Sequence, residues 1–209
     1  MEIIQATAAH VDKFIGDLPE LMHSTGPFAY DYQFLSRKYL DPIVQSSWAA
    51  ERSLFGFDGS RLAVEGDELL GIEIGWQGPE FEARKKALAP ILGKIVEDGT
   101  LPQDDLAEMG KRTYLASYLN AAIPKPVHYI HALAVKPEHR GKGIGAALVR
   151  NAMQIGKDAG YRGLHLDVLS DNPAVEFYRA MGMHCLAETR APDPFEHGCP
   201  VEMRMAIDF

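Results

Sequence analysis

The chain of 209 residues has few cysteines, no long apolar run and no excess of positive charge. Its two cysteines, Cys185 and Cys199, form neither a disulfide framework nor the ligand spacing of a zinc site. No run is long and apolar enough for a membrane helix, and no signal-peptide pattern is present. We therefore predict a cytoplasmic protein with two reduced structural cysteines, no membrane span and no export.

The net charge of −8 is spread unevenly along the chain. Residues 1–78 hold twelve acids and five bases, residues 79–126 hold seven of each, and the remainder holds ten acids and nine bases. The excess of acid is therefore N-terminal. An acidic chain without a basic stripe or a row of stacking aromatics gives no support for nucleic-acid binding.

A glycine-rich turn between a strand and a helix is the most informative feature of the chain. The strand is predicted over residues 129–135, and apolar residues recur at helical spacing over residues 146–159. Between them, Gly141, Gly143 and Gly145 allow the backbone to approach a ligand closely. The helix directs unpaired N–H groups and its positive dipole end at that ligand, which predicts a pyrophosphate site.

The spacing of these glycines narrows the kind of phosphate site. A P-loop is excluded because the chain has no G-x-x-x-x-G-K-S/T run. The dinucleotide fingerprint fails because Leu148 follows where its third glycine is required. What remains is Arg140-x-x-Gly143-x-Gly145, which resembles the acyl-CoA-binding motif of the GNAT superfamily of N-acyltransferases.

A second segment resembles another landmark of that family. After a strand predicted over residues 164–169, Asn172 is predicted as an N-cap, Pro173 as the first helical residue and Gly182 as the C-terminal stop. In GNAT enzymes such a helix carries an Asn that faces the pantetheine arm and a Tyr near the thioester sulfur. Met183 stands where phenylalanine is usual. The matching positions are Asn172, Pro173, Ala174, Phe177, Tyr178 and Gly182.

The resemblance implies a single mixed α/β domain over residues 1–209, with a central, mostly antiparallel sheet flanked by helices. It is firm over about residues 127–190 and holds in outline over the first 78. The elements predicted from pattern are a strand at Ile3 and Ile4, helices over 10–22 and 28–48, a hairpin of strands over 61–65 and 69–76, and strands over 184–190 and 201–207. The proline-rich connection between the last two strands either borders the acceptor pocket or is a plain surface connection.

The chain departs from the family order at Gly78. Two helical patterns, 80–97 and 103–121, form a helical insertion over about residues 79–126, before the fourth strand. The insertion is expected to be a solvated helical hairpin that packs on the core. A lid or a dimer arm is the alternative, and homodimerisation stays open.

The resemblance also implies acetyl-CoA as co-substrate and no metal. Direct attack by the amine would proceed without a covalent enzyme intermediate. The residues expected to bind the coenzyme are Leu133, Ala134, Val135, Arg140, Gly141, Lys142, Gly143, Ile144, Gly145, Asn172, Ala174, Phe177 and Tyr178.

Transfer of an acyl group to an amine requires an oxyanion to be stabilised, a thiolate to be protonated and an ammonium to lose a proton. Backbone N–H groups near residues 133–135 are the candidates for the first task. Tyr178 is the candidate for the second, because a phenol stays protonated at neutral pH. A half-buried structural tyrosine is the alternative.

Two residues are candidates for the base. His131 is the first, because histidine titrates near neutrality. Tyr129-Ile-His131 is similar to the His-x-His of the arylalkylamine N-acetyltransferase branch, with Tyr129 in place of the first histidine. Glu73, on the neighbouring strand, is the second. Either side chain could instead be satisfied by structural neighbours.

The sequence thus predicts an N-acetyltransferase that acts on a primary amine. A small cationic amine is favoured because the acceptor site in this fold draws on the acidic N-terminal part. The alternatives are protein or peptide N-acetylation, and a non-catalytic module that senses acyl-CoA.

Overall fold

Seven strands form one sheet in the computed structural model, which describes residues 1–120 and 122–209. Their order is β1-β2-β3-β4-β5-β7-β6, and only β4 and β5 run parallel. This confirms the expected mixed α/β fold with a mostly antiparallel sheet. The strands are β1 Glu2–Gln5, β2 Ser60–Glu65, β3 Glu68–Gln77, β4 Val127–Val135, β5 Gly163–Leu169, β6 His184–Thr189 and β7 Glu202–Asp208.

Helices flank the sheet on both faces. Within the described ranges, no helix is both long and apolar enough to cross a membrane. The α-helices are α1 Val11–Phe14, α2 Leu18–Thr25, α3 Pro27–Phe34, α4 Arg37–Trp48, α5 Glu80–Lys86, α6 Leu88–Glu97, α7 Gln103–Leu115, α8 Ile144–Asp158, α9 Ala174–Ala180 and α10 Pro192–Glu196.

The N-terminal helical patterns are interrupted where the sequence predicted continuous helices. The helix predicted over residues 28–48 is two helices, because Leu35 adopts a φ of 65° and the chain restarts at Ser36 in extended conformation. The helix predicted over residues 10–22 divides between Phe14 and Leu18. Apolar periodicity identified the buried faces of these helices correctly. It does not reveal where a single residue changes the direction of the chain and divides a helix.

The predicted insertion is helical and lies between β3 and β4, with α5, α6 and α7 as three helices rather than two. Helix α7 ends at Leu115; Ala121, the last residue of the second predicted helix, lies outside the described residues. Phe81, Ile95 and Met109 of the insertion are buried in the same core as the N-terminal helices. The insertion is therefore part of the packed layer over one face of the sheet.

The two faces of the sheet carry separate cores. On the first face, Ile72 and Ile74 of β3 and Tyr129 of β4 pack with the N-terminal helices and the insertion. On the second face, Ile130 of β4 packs with Val149 of α8 and with residues of β5, β7 and α9. Consecutive side chains of a strand point to opposite faces of the sheet. The core in which a strand side chain is buried therefore identifies the face of the sheet to which that side chain points.

A β-bulge interrupts β4 at the centre of the sheet. Ile74 pairs with Ala132 and Gly75 pairs with Ile130, which leaves His131 as the extra residue of β4. Pairing of β4 with β5 also covers only residues 127–130. Beyond the bulge, no strand of the described residues lies beside the edge of β4 that faces β5, and a groove opens between the two strands.

Candidate active site

A cavity of about 750 Å³ lies where β4 and β5 separate. Its walls are the free part of β4, the glycine turn, the first turn of α8 and the beginning of α9. Of the thirteen residues expected to bind the coenzyme, twelve line this cavity. The exception is Lys142, whose Nζ lies 3.2 Å from His139 Nδ1 at the surface.

The glycine turn has the backbone geometry that the sequence indicated. Gly141 and Gly143 have φ angles of 76° and 81°, in the left-handed region that favours glycine. A Cβ atom at either position would meet no heavy atom within 4 Å, so the space above the turn is open. Helix α8 begins at Ile144, and its first N–H groups have no partner within the helix. The turn is therefore a cradle for an anion.

Arg140 is fixed at the entrance to this cradle. Its Nε donates to the carbonyl oxygen of Val135 at 3.1 Å, which joins the turn to the end of β4. The rest of the guanidinium is available to a phosphate.

Helix α9 begins at the other side of the cavity. Asn172 was predicted as the N-cap; its Oδ1 accepts a hydrogen bond from the Ala174 N–H at 2.9 Å, one of the first N–H groups of the helix. The helix itself begins one residue later than predicted, with Pro173 at the cap position. Gly182 follows its last turn with a φ of 86°.

Tyr178 lines the cavity with its ring almost fully buried and 5.1 Å from the ring of Phe177. Within the described ranges, its hydroxyl makes no hydrogen bond, so it is available to a ligand. Burial raises the pKa of Tyr178 above its ordinary value. The phenol is therefore protonated throughout the neutral range.

His131 lies in an aromatic cage on the first face of the sheet. Its ring is 5.5 Å from those of Phe55 and Trp76 and 5.8 Å from that of Phe81, and its buried Nε2 makes no hydrogen bond to any described residue. Burial, and then the charge of Arg84, lower the pKa of His131 to about 4. The expectation that it titrates near neutrality is corrected, because with this lowered pKa the imidazole is neutral at pH 7.

Glu73 lines neither cavity of the site. Its Oε1 is 3.6 Å from Nε2 of His128, which contacts α8 at Gly156 on the second face. Glu73 and His131 therefore point to opposite faces, although the strands that carry them are neighbours. The sequence predicted the two residues on neighbouring strands. The face to which each points depends on the pairing register and on the bulge, which the sequence does not reveal.

A second, smaller cavity of about 110 Å³ adjoins the first on the His131 face. The two cavities share Thr25, His131 and Asp167 among their walls. The apolar walls of the small cavity include Tyr30, Phe34, Leu54, Phe81 and Leu119, and its polar groups include Asn120, Asp167 and Glu202.

Two buried carboxylates and one guanidinium determine the charge of this small cavity. Arg204 donates to both oxygens of Asp167 at 2.5 and 2.8 Å, and the Tyr129 hydroxyl donates to Oδ2 at 2.9 Å. Glu202, 5% exposed, accepts a hydrogen bond from the Asn120 N–H at 2.5 Å. With both carboxylates ionised, the three side chains sum to one negative charge, which suits a single cation.

Burial, and then the charge of Asp167, raise the pKa of Glu202 to about 8. Sequence reasoning missed both acids. The available signal was the alternation of charged and apolar residues in Glu202-Met-Arg204-Met, which is typical of a half-exposed strand. In the sheet, β7 lies between β5 and β6, and its charged face is covered by the segment that follows α7.

The acidic N-terminal part does not supply these charges. Its twelve acids all belong to the described residues, and none of them lines either cavity. The acidic residues that line the two cavities are Asp167, Asp171 and Glu202. The N-terminal part contributes Thr25, Tyr30 and other uncharged walls from α2 and α3. The expectation that it would provide the acidic acceptor site is therefore corrected.

Comparison with known proteins gives matches in sequence and in structure. Residues 94–183 match the model of the acetyltransferase (GNAT) family. Streptothricin acetyltransferase of Streptomyces lavendulae is 33% identical over 125 residues, which are 53% of this chain and 66% of that protein. A putative ribosomal protein bS18-alanine N-acetyltransferase of Bacillus subtilis is 36% identical over 74 residues, 35% of this chain and 49% of that protein.

The chain thus spans about half to two thirds of the length of these two relatives. The likeness in structure is more extensive. The crystal structure of an N-acetyltransferase from Staphylococcus aureus Mu50 aligns with a TM-score of 0.71 and 14% identity, over 99% of this chain and 100% of that chain. At 14% identity, this structural similarity shows a shared fold and nothing about the reaction or substrate.

Proposed function

Because the chain belongs to the GNAT superfamily of acetyltransferases, we propose that it transfers the acetyl group of acetyl-CoA to a primary amine. The observation that carries this proposal is the junction of two cavities: a large groove with an anion cradle opens onto a small acidic pocket. A groove suited to an acyl-CoA beside a pocket suited to an amine is what acetyl transfer requires.

The large cavity fits the coenzyme in three respects. The open space over Gly141 and Gly143, with the N–H groups of α8, suits the pyrophosphate. The edge of β4 beyond residue 130 has backbone groups that an amide-containing arm can pair with. Asn172, Ala174 and Phe177 line the far wall.

Two groups of the chain serve the thioester. Backbone N–H groups of residues 133–135 stabilise the oxyanion, since no described strand pairs with the β5 side of this stretch of β4. Tyr178 donates its proton to the departing thiolate, because its hydroxyl makes no hydrogen bond to a described residue and remains protonated. His131, neutral at physiological pH, forms part of the wall between the two cavities.

The acceptor is a small cationic amine. A cavity of about 110 Å³ is smaller than the roughly 300–1,000 Å³ of ordinary ligand sites, so it holds an amine head and little more. Glu202, when ionised, gives it a charge complementary to an ammonium, because the charge of Asp167 is balanced by Arg204. A lysine side chain or an N-terminus of a protein presents the same head, which makes protein acetylation the rival. A module that only senses acyl-CoA has no use for a second acidic cavity.

Turnover with a panel of acceptors tests the proposal. Release of free thiol from acetyl-CoA is followed with cationic, neutral and anionic amines of similar size, and with a lysine peptide. We expect the small cationic amines to have the highest kcat/KM, and rising salt to reduce that advantage only moderately, since the acids are buried. Preference for the peptide would favour the rival, and thiol release that no acceptor accelerates would refute the proposal.

A further inference from the structure

We propose that the ammonium of the acceptor binds in the small cavity beside Glu202 and gives its proton to that carboxylate. This role rests on the proposed function and deepens it. It assigns the base to a strand, β7, on which the sequence indicated no catalytic residue.

The partners of the two buried acids distinguish them. Asp167 is held by the Arg204 guanidinium and the Tyr129 hydroxyl, so its charge is already compensated. Glu202, among the described residues, accepts hydrogen bonds only from the backbone N–H of Asn120. A buried carboxylate without a direct cationic partner is costly unless a ligand completes its shell. Glu202 is therefore the acid that an incoming cation would satisfy.

The cavity brings that cation to the acyl group. Glu202 lines only the small cavity, whereas Asp167 and His131 line both cavities. An amine held at Glu202 thus lies on the path to the groove between β4 and β5. Aromatic walls formed by Tyr30 and Phe81 exclude water from the head of the amine and strengthen its interaction with the carboxylate.

The groups that face Glu202 explain its suitability as a base. They are Asp167 on β5, Arg204 on β7, Tyr129 on β4 and Cys199 in the preceding connection. With a pKa of about 8, Glu202 is closer to neutrality than His131, and a base works best when its pKa is near the working pH. An ammonium that enters the cavity favours the ionised carboxylate, because opposite charges stabilise one another.

The protons balance as follows. An alkylammonium loses two protons when it becomes an amide. The first goes to ionised Glu202, which leaves a neutral amine to attack the thioester carbonyl carbon. As the C–N bond forms and the C–S bond breaks, the nitrogen releases the second proton to solvent, and the sulfur takes up one proton from Tyr178. Tyr178 then regains a proton from solvent and Glu202 releases its proton to solvent, so that one proton is released for each acetyl group transferred.

Glu202→Gln tests this role, because it keeps the shape of the side chain and removes its charge. Exposed Glu188→Gln, on the neighbouring strand β6, is the matched control. In the wild type and the control, kcat/KM for a cationic amine should rise with pH through an ionisation near 8. In Glu202→Gln the rising limb should disappear and kcat/KM should fall at least tenfold, with acetyl-CoA affinity unchanged. Glu202→Asp should restore part of the limb.

Persistence of the same limb in Glu202→Gln would overturn the role of Glu202 while leaving acetyl transfer intact. Absence of turnover in the wild type would instead refute the proposed function. In that case the carboxyl resonance of Glu202 is followed by ¹³C NMR titration, with assignment from Glu202→Gln and ethylammonium as the probe. Ethylammonium should lower the midpoint of that titration, and an unchanged midpoint would overturn binding of the cation at Glu202. Circular dichroism confirms that the variant is folded.

Discussion

The buried imidazole of His131 should make the protein sensitive to mild acid. In the folded chain its pKa is about 4, whereas an unfolded histidine titrates near 6.5. As pH falls from 6.5 toward 4, this histidine binds a proton in the unfolded chain but not in the folded chain. The contribution of the neutral imidazole to the free energy of unfolding is fully present above pH 6.5 and is lost as pH falls from 6.5 to 4. Below pH 4 both forms are protonated and the loss levels off.

The magnitude follows from the two pKa values. At pH 7 the unfolded histidine is mostly neutral, and the loss of stability from its protonation is only about 0.2 kcal/mol. At pH 5 it is almost fully protonated while His131 in the fold is not, which corresponds to roughly 2 kcal/mol. A loss of that size is a substantial fraction of the stability of an ordinary domain.

His131→Phe removes the titrating group and places another aromatic ring among Phe55, Trp76 and Phe81. The free energy of unfolding is measured in urea at pH 7 and pH 5 for the wild type, for His131→Phe and for exposed His184→Gln. Between the two pH values, His131→Phe should lose about 2 kcal/mol less than the wild type and the control. Equal losses in all three proteins would mean that the cage does not hold the imidazole neutral, and the reasoning would fail.

Two further predictions concern the large cavity. Gly143→Val should weaken acetyl-CoA binding at least tenfold in calorimetric titration, because a side chain would enter the open space over the turn. The control is Gly99→Val, at a φ of 82° with equally open surroundings. It imposes similar backbone strain and should leave the affinity unchanged. Tyr178→Phe should lower turnover roughly 10- to 1000-fold with acetyl-CoA affinity nearly kept, as expected for loss of a general acid, and unchanged turnover would assign Tyr178 to the core.

The parts of the site that are local in sequence could be predicted from it. The glycines at 141 and 143, the start of α8 and the hydrogen bond of Asn172 at the start of α9 depend on neighbouring residues, whose types indicate the backbone geometry. The hairpin of β2 and β3 is predictable for the same reason. Apolar alternation also identified the strands that form the central sheet.

The acidic cavity could not be predicted, because it joins residues that are distant in sequence. Asp167 and Glu202 are neighbours only because β7 pairs with β5, and the segment near Asn120 covers them. The bulge at His131 likewise depends on the partner strand. Composition indicated an acidic acceptor site in the N-terminal part, but solvent surrounds most of those acids, and a few buried carboxylates outweigh many exposed ones.

The bulge in β4 has a consequence for the speed of binding. Since His131 is an extra residue of backbone, the divergence of β4 from β5 is built into the chain and does not wait for a ligand. A groove that is open beforehand requires no ordering of its walls when an acyl-CoA enters. Association should then be a single bimolecular step, with an observed rate proportional to ligand concentration and no slow closing phase that saturates.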